Sequence, residues 1–67
     1  MRNRSHEGLQ AGEVADASHA FALRLLRSGE AEVDVIFALR EAFDMSSGRA
    51  GDVLTQAARR VRAERAA

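Results

Sequence analysis

Residues 39–54, LREAFDMSSGRAGDVL, read as the end of one helix, a tight polar turn and the start of another. Apolar residues fall at Leu39, Phe43, Met45, Ala50, Val53 and Leu54. That is the spacing by which two helices joined by a short turn bury one shared core. Within the turn, Ser46 or Ser47 can cap the following helix by accepting a hydrogen bond from an unpaired backbone N–H. Pro is absent from the whole chain, so nothing forbids long helices on either side.

Working outward, the third helix is expected over 47–64. Ala50, Val53, Leu54, Ala57, Ala58 and Val61 form its apolar stripe, and Arg49, Asp52, Gln56, Arg59, Arg60 and Arg62 fill much of the rest. Gly48 and Gly51 weaken its start by roughly 1 kcal/mol each relative to Ala. Two such residues mean either close backbone approach to a neighbour or a frayed helix start. The second helix is expected over 30–43, with Glu30, Glu32 and Asp34 complementing the dipole at its start. Its wide apolar face is read as Val33, Ile36, Phe37, Leu39, Ala42 and Phe43, with Phe37 in the core, where truncation to Ala would cost about 3–5 kcal/mol. The run VDVIFAL, residues 33–39, has the β-branched content of a strand, but the 3.6-residue period and helix-forming flanks favour a helix. The first helix is expected over 13–27. Val14, Ala17, Phe21 and Leu25 form its stripe, widened by Ala22 and Leu26, and Ser28-Gly29 stops it. Residues 1–12 are polar, carry Gly8 and Gly12, and are expected to be a mobile tail. The fold class is therefore all-α: a single three-helix domain over 13–67 whose third helix is the longest.

Composition sharpens this. Of the hydrophobic residues fourteen are Ala, so only seventeen larger side chains can supply a core. A domain this small rarely gains more than roughly 3–5 kcal/mol without a staple. Cys is absent, which removes disulfides and thiolate metal sites. The staple that remains is a partner, and a homodimer is expected. All ten basic residues are Arg and the net charge is zero, which argues against a strong general nucleic-acid binder. The charge is polarised: residues 1–44 hold five Arg against eight acids, and residues 45–67 hold five Arg against two. That asymmetry suits head-to-tail association or a partner that meets only the last helix. No apolar run approaches a membrane span, and no apolar stretch follows the charged N-terminus as in a signal peptide, so the cytoplasm is the expected compartment.

Residues 39–54 resemble a helix-turn-helix DNA-binding motif. Leu39, Phe43, Met45, Ala50 and Val53 match its apolar positions, and Ser46 matches the usual first residue of the recognition helix. Arg40 departs from the small residue of that pattern and Asp44 from its turn Gly. The resemblance implies that Ser46, Ser47, Arg49 and Thr55 face a DNA groove while Arg59 and Arg60 contact phosphates. Asp52 on the same helix would repel them. The same stretch is also similar to the N-terminal module of translation elongation factor Ts, a three-helix fold of the ubiquitin-associated type. LREA at residues 39–42 and Ala50, Val53, Leu54 and Ala57 carry that likeness, and the Gly-rich turn of that family is missing. This second resemblance implies a protein-binding surface. Gly48-Arg49-Ala50-Gly51 also fits the GxxG loop of KH domains, but those need strands around the loop and none is evident.

Catalytic constellations are not evident. MSSGRAG lacks the first Gly of a nucleophile elbow. His19 can share a face with Asp16, but two side chains make no metal site, so His19 is read as a surface or boundary residue. His6 lies in the expected tail, and no phosphate loop or dinucleotide fingerprint is present. No enzyme, cofactor, metal or small-molecule substrate is therefore expected. The Arg59, Arg60, Arg62, Arg65 run reads first as a solvated face, and Phe21, Phe37 and Phe43 as core rather than a stacking platform. The last helix, mainly Ala and Val on its apolar side, has little to insert into a membrane. The expected function is a small regulatory or adaptor protein that binds a protein partner through a helical surface. The alternative is a helix-turn-helix-type transcriptional regulator. Ser46, Ser47, Arg49, Thr55, Arg59 and Arg60 are the candidate binding residues under either reading.

Overall fold

A computed structural model describes residues 11–67. They form three helices, α1 (Ala11–Arg27), α2 (Glu32–Phe43) and α3 (Ser47–Ala66), with no strand among the described residues. The third is the longest, at 20 residues. The boundaries shift slightly from the sequence reading. Helix α1 starts two residues earlier, α2 starts at Glu32 rather than Glu30, and α3 runs two residues further. Ten residues of the expected tail lie outside the described residues; Ala11 and Gly12 belong to α1.

Each break has a local cause. At the end of α1, Gly29 takes a left-handed conformation (φ 91). The Glu30 N–H donates to the Leu25 carbonyl at 3.1 Å and the Gly29 N–H to the Leu26 carbonyl at 3.0 Å. These two bonds satisfy carbonyls that the helix itself leaves open, the pattern of a Schellman stop. Asp44 ends α2 in the left-handed region (φ 53, ψ 43), which Asp tolerates better than most residues. Ser46 then caps α3, its hydroxyl oxygen accepting from the Arg49 N–H at 3.2 Å. Gly48 and Gly51 are not sites of close approach, because an added Cβ would meet nothing within 4 Å at either position.

Helices α1 and α3 run side by side in the same direction. Ala15 and His19 share a groove with Arg49, Asp52, Val53 and Gln56 near one end, and Arg27 reaches Glu64 at the other. This is the most extensive of the three helix pairings. The connecting helix α2 must therefore run back antiparallel to both, giving an up-down-up bundle. The core is Ala22, Leu23 and Leu26 from α1, Val35 and Leu39 from α2, and Ala50, Leu54, Ala57 and Val61 from α3. Phe21, Leu25, Ile36, Phe43, Met45, Val53 and Ala58 pack around it half-buried. Phe21 and Phe43 meet edge to face with ring centroids 5.5 Å apart, a favoured aromatic geometry.

The α3 stripe follows the sequence reading; those of α1 and α2 are rotated from it. In α1 the buried line is Ser18, Ala22 and Leu26 at i, i+4, i+8, flanked by Leu23, whereas Ala17 is exposed. Ser18 is fully buried and stays satisfied because its hydroxyl donates to the Ala15 carbonyl of its own helix at 3.1 Å. In α2 the buried pair is Val35 and Leu39, both at 0% exposure. Val33 and Phe37, expected in the core, are 57% and 56% exposed, and Ala42 is exposed as well. The cause is geometric. A helix lying on two others can cover one stripe, and Phe37 sits two residues from both Val35 and Leu39. At about 100° per residue that places it on the opposite side of α2.

Candidate partner-binding surface

The six sequence-selected residues all lie at or on α3 and all are exposed. They do not form one face. About 100° of rotation per residue puts Arg49 and Arg60 on one flank of the buried seam, and Ser47, Thr55 and Arg59 on the other or at the back. Several already have local partners. The Ser46 oxygen is the helix cap. The Thr55 hydroxyl donates to the Gly51 carbonyl at 2.9 Å. Arg60 lies 3.5 Å from the Glu64 carboxylate. Arg49 borders the groove of about 290 Å³ that opens between the N-terminal halves of α1 and α3. That groove presents His19, Arg49 and Gln56 together with Asp52, so donors and a carboxylate share its wall. Among the described residues no group of three His, Cys, Asp or Glu could hold a metal ion.

The strongest polar contact ties the far end of α3 to α1. Arg27 donates from Nε to Glu64 Oε1 at 3.1 Å and from Nη2 to Oε2 at 2.5 Å. The two-pronged bond holds the Glu64 carboxyl below its ordinary range, against a smaller opposing effect of desolvation, and Arg60 adds to the lowering. The same bond raises the Arg27 guanidinium. Because both groups keep wide contact with water, this pair marks where α1 ends on α3 more than it stabilises the bundle.

A second surface was not legible as such in the sequence. Val33 and Phe37 stand one turn apart on the outer side of α2, the exposed large apolar residues of the described chain. Asp34, Arg40 and Glu41 are exposed around them. Residues 30–44 carry five acids against Arg40 alone, while α3 carries five Arg against Asp52 and Glu64. The one sequence signal for this surface was the presence of two rival i, i+4 pairs, Val33–Phe37 and Val35–Leu39, of which only one can face inward. Among the described residues no helix is long and apolar enough to cross a membrane. Comparison of the chain with protein-family models, curated proteins and solved structures finds no match.

Proposed function

We propose that this is a small cytoplasmic regulatory or adaptor protein without enzymatic activity, acting by binding a protein partner through a helical surface, with self-association as part of its behaviour. The observation that carries this reading is the exposed Val33–Phe37 pair. A chain with so few large apolar side chains leaves two of them, one a ring, in water on the outer side of a packed helix. Exposed apolar residues that adjoin one another, rimmed by charge, are the usual mark of a protein contact.

A second reading, a helix-turn-helix-type DNA-binding regulator, draws support from the three-residue turn Asp44-Met45-Ser46, the Ser46 cap and the five Arg of α3. Two measurements separate the readings. A pull-down from the native host, with and without nuclease, should retain protein after nuclease treatment. A gel-shift titration on duplex DNA at low and moderate salt should show weak or no binding. A salt-sensitive shift whose slope falls by about one unit per Arg removed at Arg59 and Arg60 would favour DNA instead.

A further inference from the structure

Resting on the protein-binding reading, we infer that the outer face of α2 docks onto the basic outer flank of α3 in a second copy of this chain. The two faces are complementary. Val33 and Phe37 provide an apolar anchor on α2, and Asp34 and Glu41 flank it with negative charge against the single positive charge of Arg40. On α3, Arg59, Arg62 and Arg65 follow at three-residue steps, all exposed, and no ion pair forms at any of them among the described residues. Beside them Gly51, Thr55 and Ala58 leave the helix surface low, and a Cβ at Gly51 would meet nothing within 4 Å. A ring lying there would rest on Arg stems with a guanidinium over its face. The protomer already makes such a contact, with Arg24 5.3 Å from the Phe21 ring centroid.

The two faces of one protomer cannot meet each other, because α2 turns its Val35–Leu39 side, and not its Val33–Phe37 side, to its own α3. Pairing α2 with α2 across a two-fold axis would set Asp34 and Glu41 of one copy against those of the other, with Arg40 alone to offset them. The contact therefore joins unlike faces, α2 of one copy on α3 of the other, whether made once or twice about a two-fold axis. Two half-exposed anchors are few beside the roughly 800 Å² per partner of a stable interface. Association is accordingly weak and depends on the charges.

The test is sedimentation of the full chain at low and moderate salt. The parent should show concentration-dependent association at low salt, weakened about tenfold or more at moderate salt. Phe37→Asp, which disables the α2 face, and the double variant Arg59→Glu, Arg62→Glu, which disables the α3 face, should each be monomeric. All three positions are exposed, and retained helicity by circular dichroism verifies that each variant folds. Asp34→Arg with Glu41→Arg gives a second version of the α2 variant. Mixing an α2-face variant with the α3-face variant should restore a one-to-one complex, since each supplies the face the other lacks. A monomeric parent at low salt, or a mixture that stays monomeric, overturns the inference. If nuclease-treated pull-downs still retain protein in that case, the protein-binding reading survives and only the second-copy assignment falls.

Discussion

Truncating Leu39 and Phe37 separately tests the packing of α2 directly. Leu39 has no exposed surface. Changing it to Ala removes three carbons, worth about 2.5 kcal/mol in transfer free energy, and the unfilled space brings the loss to about 3–5 kcal/mol. That equals the whole stability expected of a domain this size, so Leu39→Ala should show no cooperative transition. Leu39→Met keeps the volume, should lose less than about 1.5 kcal/mol and should still unfold cooperatively. Phe37 is more than half exposed, so truncation forfeits about 1 kcal/mol of burial. Ala recovers part of that through its helix propensity. Phe37→Ala should therefore melt close to the parent. The assay is urea unfolding followed by far-UV circular dichroism, at protein concentrations low enough to exclude association. Equal destabilisation by the two Ala variants, or a Leu39→Ala variant that melts like the parent, would refute the assigned inward face of α2.

Four further substitutions test the helix ends and the first turns of α3. Gly51→Ala should stabilise the fold by about 0.5–1 kcal/mol, because the site has open space and a helical backbone, whereas Gly29→Ala should destabilise it by about 1–2 kcal/mol at φ 91; paired thermal melts give both signs. Ser46→Ala should cost about 1 kcal/mol, read in the same melts, by leaving the Arg49 N–H without its cap. The lowered Glu64 carboxyl contributes stability that is present above its unfolded-state pKa and is lost as pH falls through the folded value. Any gap in melting temperature between the parent and Glu64→Gln at neutral pH and low salt should therefore close in acid, and a gap that persists there would refute the assignment.

The helix count and the two breaks were legible because they rest on local chemistry: Gly29 for a left-handed stop at the first, and Asp44 for a second such stop with the Ser46 hydroxyl as a cap at the other. The rotation of α1 and α2 was not, because it depends on which side each helix offers to the others. Ser18 is absent from any apolar stripe, yet a hydroxyl that bonds its own helix can be buried at no loss of partner. Val35 was hidden by its neighbours. In VDVIFAL both Val33–Phe37 and Val35–Leu39 have helical spacing; the sequence reading takes Val33, Phe37 and Leu39 inward, and of these the structure buries Leu39 alone. The candidate residues on α3 follow from the helix-turn-helix resemblance and the Arg-rich last helix, whereas the acidic, apolar face of α2 carries no comparable sequence pattern. On α3 all six candidate residues are exposed, and their division between flanks follows from where α1 lies.

The seam between α1 and α3 encodes its alignment in volume. Ser18 spends its hydroxyl within its own helix, so it does not pin one helix to the other. Along α3 the buried residues alternate small and large, Ala50, Leu54, Ala57, Val61, while α1 presents small, small, large, Ser18, Ala22, Leu26. A slip of one turn would exchange small for large at every level of α3, so steric mismatch alone resists sliding. Such a lock has no intermediate setting, and the buried side chains that form it carry no charge. Its far end, where Arg27 clasps Glu64, does respond to the solution. Acid or salt should therefore loosen the C-terminal end of α3 first, so protection from hydrogen exchange, taken against the intrinsic rate at each pH, should fall at Glu64 well before it does at Leu54.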